Sequence, residues 1–205
     1  MSSVLTISSV SLPVGGANDL LWRFSVAQYH EMIRAGILTE DDPVELLEGL
    51  LITKMPKNPP HRMATHLTSE ALRAVIPDGW YVDSQEPVTL ADSEPEPDVC
   101  VIRGTTRDYA EHNPFAQDVA LVIEVSDSTL EWDRESKRRV YAQAGIAVYW
   151  IVNLVDHCLE VYSNPTGRVE EPDYQESQIF ADDSIVPVWI DGREVAQIAV
   201  QNLLP

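Results

Sequence analysis

Three apolar runs dominate the middle of the chain: VCVI at 99–102, VALVIEV at 119–125 and AVYWIVN at 147–153. Runs of this kind suit strands buried on both faces. Between the second and third, apolar positions in Asp133–Ala144 recur at helical spacing, with Val140, Tyr141 and Ala144 on one side and Gly145 as a stop. Strand, helix, strand in that order predicts a right-handed crossover and a locally parallel pair. The segment CLEVYS at 158–163 then returns across an Asp156-His157 turn as a hairpin. From 174 onward the pattern predicts one or two edge strands and a short end piece.

The first half of the chain carries clearer punctuation than hydrophobicity. Ser25 precedes Gln28 at capping-box spacing, Phe24 and Tyr29 stand where a hydrophobic staple would put them, and Gly36 ends the helix. VELLEGLLIT at 44–53 is too apolar for a surface helix, and its central Glu48-Gly49 reads as a hairpin turn. A second helix follows Pro59-Pro60, with Met63, Leu67, Ala71, Ala74 and Val75 as its apolar stripe and Pro77-Asp78-Gly79 as its end. WYVD at 80–83 and PVTL at 87–90 are short strand candidates. There is no internal repeat and no dividing linker, so the expected organisation is an N-terminal arm over 1–20 and a single domain over 21–205.

Length and composition agree with that picture: 205 residues, 44% apolar, suffice for one full core. No run reaches the roughly 18 to 20 apolar residues that cross a bilayer, and the N-terminus lacks the basic and apolar blocks of a secretion signal. Cys100 and Cys158 have no CxxC spacing and read as reduced, buried thiols, which points to a cytoplasmic protein without a membrane partner. Charge changes the picture more. With 14 basic and 33 acidic residues the net charge is −19, and the longest basic run is Lys137-Arg138-Arg139. A generic nucleic-acid binder presents a basic face, so nucleic acid could be engaged here only with bound cations or a local basic patch.

The candidate chemistry lies beside the central runs. Asp98 follows the stiff EPEP segment and precedes VCVI; Glu124 stands near the end of VALVIEV. If those strands are neighbours, both carboxylates leave one end of the sheet. Two such charges about 4 Å apart repel by about 4 kcal/mol at an effective dielectric of about 20, and a cation between them relieves this. Carboxylate oxygens completed by water describe a Mg²⁺ site, and a metal-bound hydroxide can cleave phosphodiesters. Asp133 and Lys137 are four apart on the following helix. That spacing admits a solvent-exposed ion pair as readily as a Lys near a metal. His30, His66, His112 and His157 lack metal-ligand spacing. Ser126, Ser128 and Thr129 lack the surroundings of a nucleophile and read as caps of the loop into the helix. Trp132, Tyr141, Tyr149 and Trp150 read as core.

The stretches VELLEGLL, PEPDVCVI, LVIEVSDSTLEWDRESKRRVYAQAGIAVYWIVN and LEVY together resemble the Uma-type endonuclease family, once a domain of unknown function. It lies within the PD-(D/E)xK nuclease superfamily, and the likeness spans roughly residues 24 to 190. The resemblance implies an α/β, restriction-endonuclease-like fold: a central mixed β-sheet flanked by helices, with added β-hairpins. It also implies a Mg²⁺- (or Mn²⁺-) dependent endonuclease acting on nucleic acid, DNA first, with a homodimer as the default assembly. By the same likeness Asp98, Glu124 and Glu45 become metal ligands, and His61 becomes a cleft residue beside Asp133 and Ser126. Ser126 stands where the superfamily has its Lys; the resemblance moves that role to Lys137. The competing function class is a non-catalytic acidic interaction domain on the same fold.

Overall fold

Eight consecutive buried residues make β5 (Val119–Ser126) the spine of the molecule. The structure, a computed structural model, describes residues 21–205, and the expected N-terminal arm lies outside the described residues. On one side β5 pairs antiparallel with β4 (Val99–Arg103), and on the other it pairs parallel with β6 (Val148–Asn153). Among the described residues six strands form this sheet, in the order β3-β4-β5-β6-β7-β8, with β3 at Trp80–Asp83, β7 at Cys158–Pro165 and β8 at Tyr174–Ala181. The parallel β5/β6 pair requires a crossover, and one continuous helical rod supplies it. The rod comprises α3 (Leu130–Trp132), a π-helical turn (Asp133–Lys137) and α4 (Arg138–Ala144). Gly145 ends it with φ 76°, a left-handed conformation that glycine adopts at no steric cost.

Alternation along the strands sorts their side chains onto two faces. Val99, Val101, Leu121, Ile123, Trp150, Val152 and Leu159 meet α2 (Pro59–Arg73) and the hairpin β9 (Ile185–Ile190)–β10 (Arg193–Ala199). Cys100, Val122, Tyr149, Ile151 and Tyr162 meet the crossover helix and Leu47, on the hairpin β1 (Val44–Leu47)–β2 (Leu50–Thr53). Glu124 belongs to this second face by the same alternation. The predicted helix α1 (Val26–Arg34) forms with both halves of its Ser25/Gln28 capping box. Cys100 and Cys158 are free and buried. Among the described residues no helix is long and apolar enough to cross a membrane.

Four expectations need correction. The stripe of α2 lies about one residue further along: Met63 and Ala74 are exposed, and the buried face is Ala64, Thr65, Thr68, Ser69 and Leu72. The hydroxyls of Thr65 and Ser69 donate to the carbonyls of His61 and Thr65, so these polar residues can be buried. PVTL at 87–90 is not a strand but a loop with one bridge, Thr89 to Phe115. The tail holds three strands rather than one or two, because β9 and β10 form their own hairpin over the first face. Trp132 is 40% exposed instead of core, because it lines an open cleft while Leu130 of the same turn is buried.

A buried carboxylate ties the π turn to the sheet. Glu160 on β7 accepts Nε and Nη2 hydrogen bonds from Arg134, the shortest 2.6 Å, together with Asn153 Nδ2 at 2.8 Å and the Tyr162 hydroxyl at 2.7 Å. Burial pushes its pKa up, but these donors outweigh burial and hold it below the ordinary glutamate value. A carboxyl depressed in the folded state adds stability that is present above its unfolded pKa of about 4.3 and is lost as pH falls through the folded value. Glu160→Gln should therefore flatten the acid limb of a stability–pH profile and leave its alkaline side unchanged in slope, as urea titration at several pH values would show. Gly49, with φ 77°, closes the β1–β2 turn so tightly that an added Cβ would stand 2.6 Å from Arg23 Cβ. Gly49→Ala should cost at least about 1–2 kcal/mol from the left-handed backbone alone, measurable by the same titration.

Candidate active site

The β4/β5 register places Val99 opposite Ile123, and so sets Asp98 beside Glu124. The backbone cross-links them: the Val125 amide donates to Asp98 Oδ2 at 2.9 Å, and the Asp98 amide lies 3.3 Å from Glu124 Oε2. Both side chains are buried, each 5% exposed. Burial works against the Asp98 carboxylate, but His61 at 3.1 Å, the Val125 amide and Lys57 at 3.5 Å outweigh it and hold the pKa below the usual value. Glu124 has the opposite fate. Burial raises its pKa; Lys137 opposes this, while Asp98, Asp133 and Glu45 add to it, and the carboxyl is pushed up to about 8. Two adjacent carboxyl groups thus differ in proton affinity because donors to Asp98 outweigh its burial, while at Glu124 burial and three nearby acids outweigh Lys137.

Lys137 is buried rather than part of an exposed helix pair. Its ammonium sits 2.8 Å from Glu45 Oε2 and 3.3 Å from Glu124 Oε1. Burial alone would lower its pKa, but Glu124 and then Glu45 keep it charged well above the ordinary lysine value. Glu45 is brought here by β1, whose short hairpin docks on the SEPEP segment through an antiparallel bridge between Leu46 and Glu94 and through the Glu96 amide, which donates to Glu45 Oε2 at 3.1 Å. The π turn widens the helix at this point. Asp133 consequently spends its carboxylate on the hydroxyls of Ser126 and Thr129, each at 2.7 Å. Burial still raises the Asp133 pKa, to about 6, against those two hydrogen bonds. Ser126, two residues beyond Glu124 on the same strand face, is fully buried and engaged with Asp133.

The sequence-predicted residues Glu45, Asp98, Glu124, Asp133, Lys137 and His61 all line one cleft of about 100 Å³. Ser126 lies behind it. The sequence reading missed two groups. The Tyr141 hydroxyl, taken for core, donates to Glu124 Oε1 at 2.6 Å. Lys57, in the loop between β2 and α2, reaches Asp98 Oδ1. Tyr141 had a signal available, since it stands one residue beyond Val140 on the predicted inner side and a buried phenol needs a partner. Lys57 had none, because only the fold brings that loop to β4.

The donor set suits a hard cation. Among the described residues no three His, Cys, Asp or Glu side chains are arranged to enclose an ion by themselves. Mg²⁺, however, is commonly held by one or two carboxylates with water and substrate phosphate completing its shell. Asp98 and Glu124, adjacent and lining one cleft, are such a pair.

Comparison with known proteins agrees with this geometry at the level of fold and family. No curated protein matches the chain. A solved structure, described as "a putative nuclease belonging to DUF820" from Anabaena variabilis, superposes with a TM-score of 0.61 at 18% identity, covering 82% of this chain and 94% of that one. At that identity the likeness establishes the fold. Residues 26–196 match the Uma2 family, described as "putative restriction endonuclease", and on that match over most of its length the chain belongs to the Uma2 family of restriction-endonuclease-like proteins.

Proposed function

We propose that this protein is a divalent-metal-dependent endonuclease that hydrolyses phosphodiester bonds in DNA, with Asp98, Glu124 and Lys137 at its reacting centre. The observation that carries the reading is the burial of a charged lysine against a carboxylate pair at the mouth of one cleft. Asp98 and Glu124 would hold Mg²⁺ or Mn²⁺, which when bound supplies a hydroxide at neutral pH and stabilises charge on phosphate. The protein's own part is positional and electrostatic. The Val125 amide and His61 fix the orientation of Asp98. The Tyr141 hydroxyl fixes Glu124. Glu45 holds the Lys137 ammonium through its Oε2, so that a fixed positive charge faces the place where the phosphate oxygens gain charge. Because Lys137 stays protonated, its role is charge stabilisation and orientation of the attacking water rather than proton abstraction. The net charge of −19 favours one other reading, an acidic interaction domain that cuts nothing.

Two measurements separate these readings. In a plasmid and oligonucleotide cleavage assay with Mg²⁺ or Mn²⁺, Asp98→Ala and Lys137→Met should each lower the rate by at least about 100-fold, with far-UV circular dichroism unchanged. Equal cleavage by the Asp98→Ala protein removes the assignment. In isothermal calorimetry the wild-type chain should bind Mn²⁺, and Glu124→Gln should abolish the binding heat. A chain that takes up neither ion and cleaves no nucleic acid is the interaction domain.

A further inference from the structure

The chain has three lysines, and all three, Lys54, Lys57 and Lys137, line the one cleft. Each has an acidic neighbour, Glu96 for Lys54, Asp98 for Lys57 and Glu45 for Lys137, and six of the eleven arginines, Arg34, Arg103, Arg134, Arg138, Arg139 and Arg168, are ion-paired elsewhere. The cleft thus gathers every lysine of an acidic molecule, and Lys57, whose side chain is 39% exposed, is the one most open to a phosphate. Lys54 and Lys57 flank Met55, which is 57% exposed, on the loop between β2 and α2. Trp132, 40% exposed, lines the same cleft from α3, immediately before the π turn that presents Lys137. A partly exposed indole beside the reacting centre offers a flat face for stacking.

We infer that the cleft grips single-stranded or locally unpaired DNA, with a base stacked on Trp132 and the adjoining phosphate met by Lys57. The inference rests on the nuclease reading and narrows its substrate. A duplex presents one phosphate charge per roughly 1.7 Å of axis, and gripping it needs an extended basic face, to which a chain of net charge −19 is poorly suited. A single strand can be held by few phosphates and by base–aromatic stacking, which tolerates any sequence. Trp132 and the Lys54–Lys57 loop, lining the same cleft, supply one stacking surface and a short cationic rail, enough for a nucleotide or two.

The test is fluorescence anisotropy with a labelled 20-nucleotide single strand and its duplex, with Ca²⁺ replacing Mg²⁺ so that the strands stay whole, followed by cleavage of both in Mg²⁺. The single strand should bind at least about tenfold more tightly than the duplex. Trp132→Ala should weaken single-strand binding by about tenfold, and Trp132→Phe should restore most of it. Lys57→Ala should weaken binding and lower the salt dependence by about one phosphate contact. Equal or tighter binding of the duplex, or unchanged single-strand binding by Trp132→Ala, overturns the inference. Cleavage of duplex that Trp132→Ala leaves unaffected overturns it too, while the nuclease reading stands. Single-strand preference without cleavage of either substrate supports the stacking surface and removes the nuclease reading instead.

Discussion

The ammonium of Lys137, buried between Glu45 and Glu124, is the contact on which the arrangement of the site depends. It joins the crossover helix, the β1–β2 hairpin and the central strand through a single charge. Burying charged groups is expensive, and mutual attraction offsets that only when geometry is close and the remaining lone pairs are used. Here they are used: the Glu96 amide takes Glu45 Oε2, and the Tyr141 hydroxyl takes Glu124 Oε1. A cluster of this kind is weak support for stability by itself. What it secures is the placement of three elements relative to one another.

The remaining polar contacts keep that charge in position. The π turn lets Asp133 turn to Ser126 and Thr129 while Lys137 turns to the carboxylates; the next buried acid, Glu160, holds Arg134 from the same turn. One turn of helix is thus fastened at three points to β5, β7 and the β1–β2 hairpin. The apolar clusters on the two sheet faces fix the strands themselves, and the carboxylate pair follows from strand register alone.

The distribution of charge reconciles an acidic protein with a phosphate-bearing substrate. Most of the acidic excess is spread over the surface, where it acts on solubility and non-specific association. The cleft sets the chain's three lysines among five carboxyl groups, so cation-binding groups and phosphate-facing charge stand side by side although the lining as a whole stays acidic. Membership of the Uma2 family and the likeness to a solved nuclease-fold structure match this architecture, though neither assigns a role to any one residue.

The sequence by itself determined the elements with strong local signals. The capping box at Ser25, the Glu48-Gly49 turn, the buried runs of β4, β5 and β6, and the stop at Gly145 all rest on contacts within a few residues or on unbroken apolar runs. It also placed Asp98 and Glu124 at strand ends where a neighbouring pair would meet. The stripe of α2 could not be read, because three of its buried positions are Thr65, Thr68 and Ser69, which escape a hydrophobic pattern, two of them with hydroxyls bonded to the preceding turn. Nor could spacing show whether Lys137 faces solvent or carboxylates, since a Lys four residues after an Asp fits both. Only the tertiary structure decided that: Glu45 and Lys137 are 92 residues apart in the chain. Their pairing exists because the hairpin and the helix pack on the same face of β5, and local sequence carries no record of which distant segments share a face.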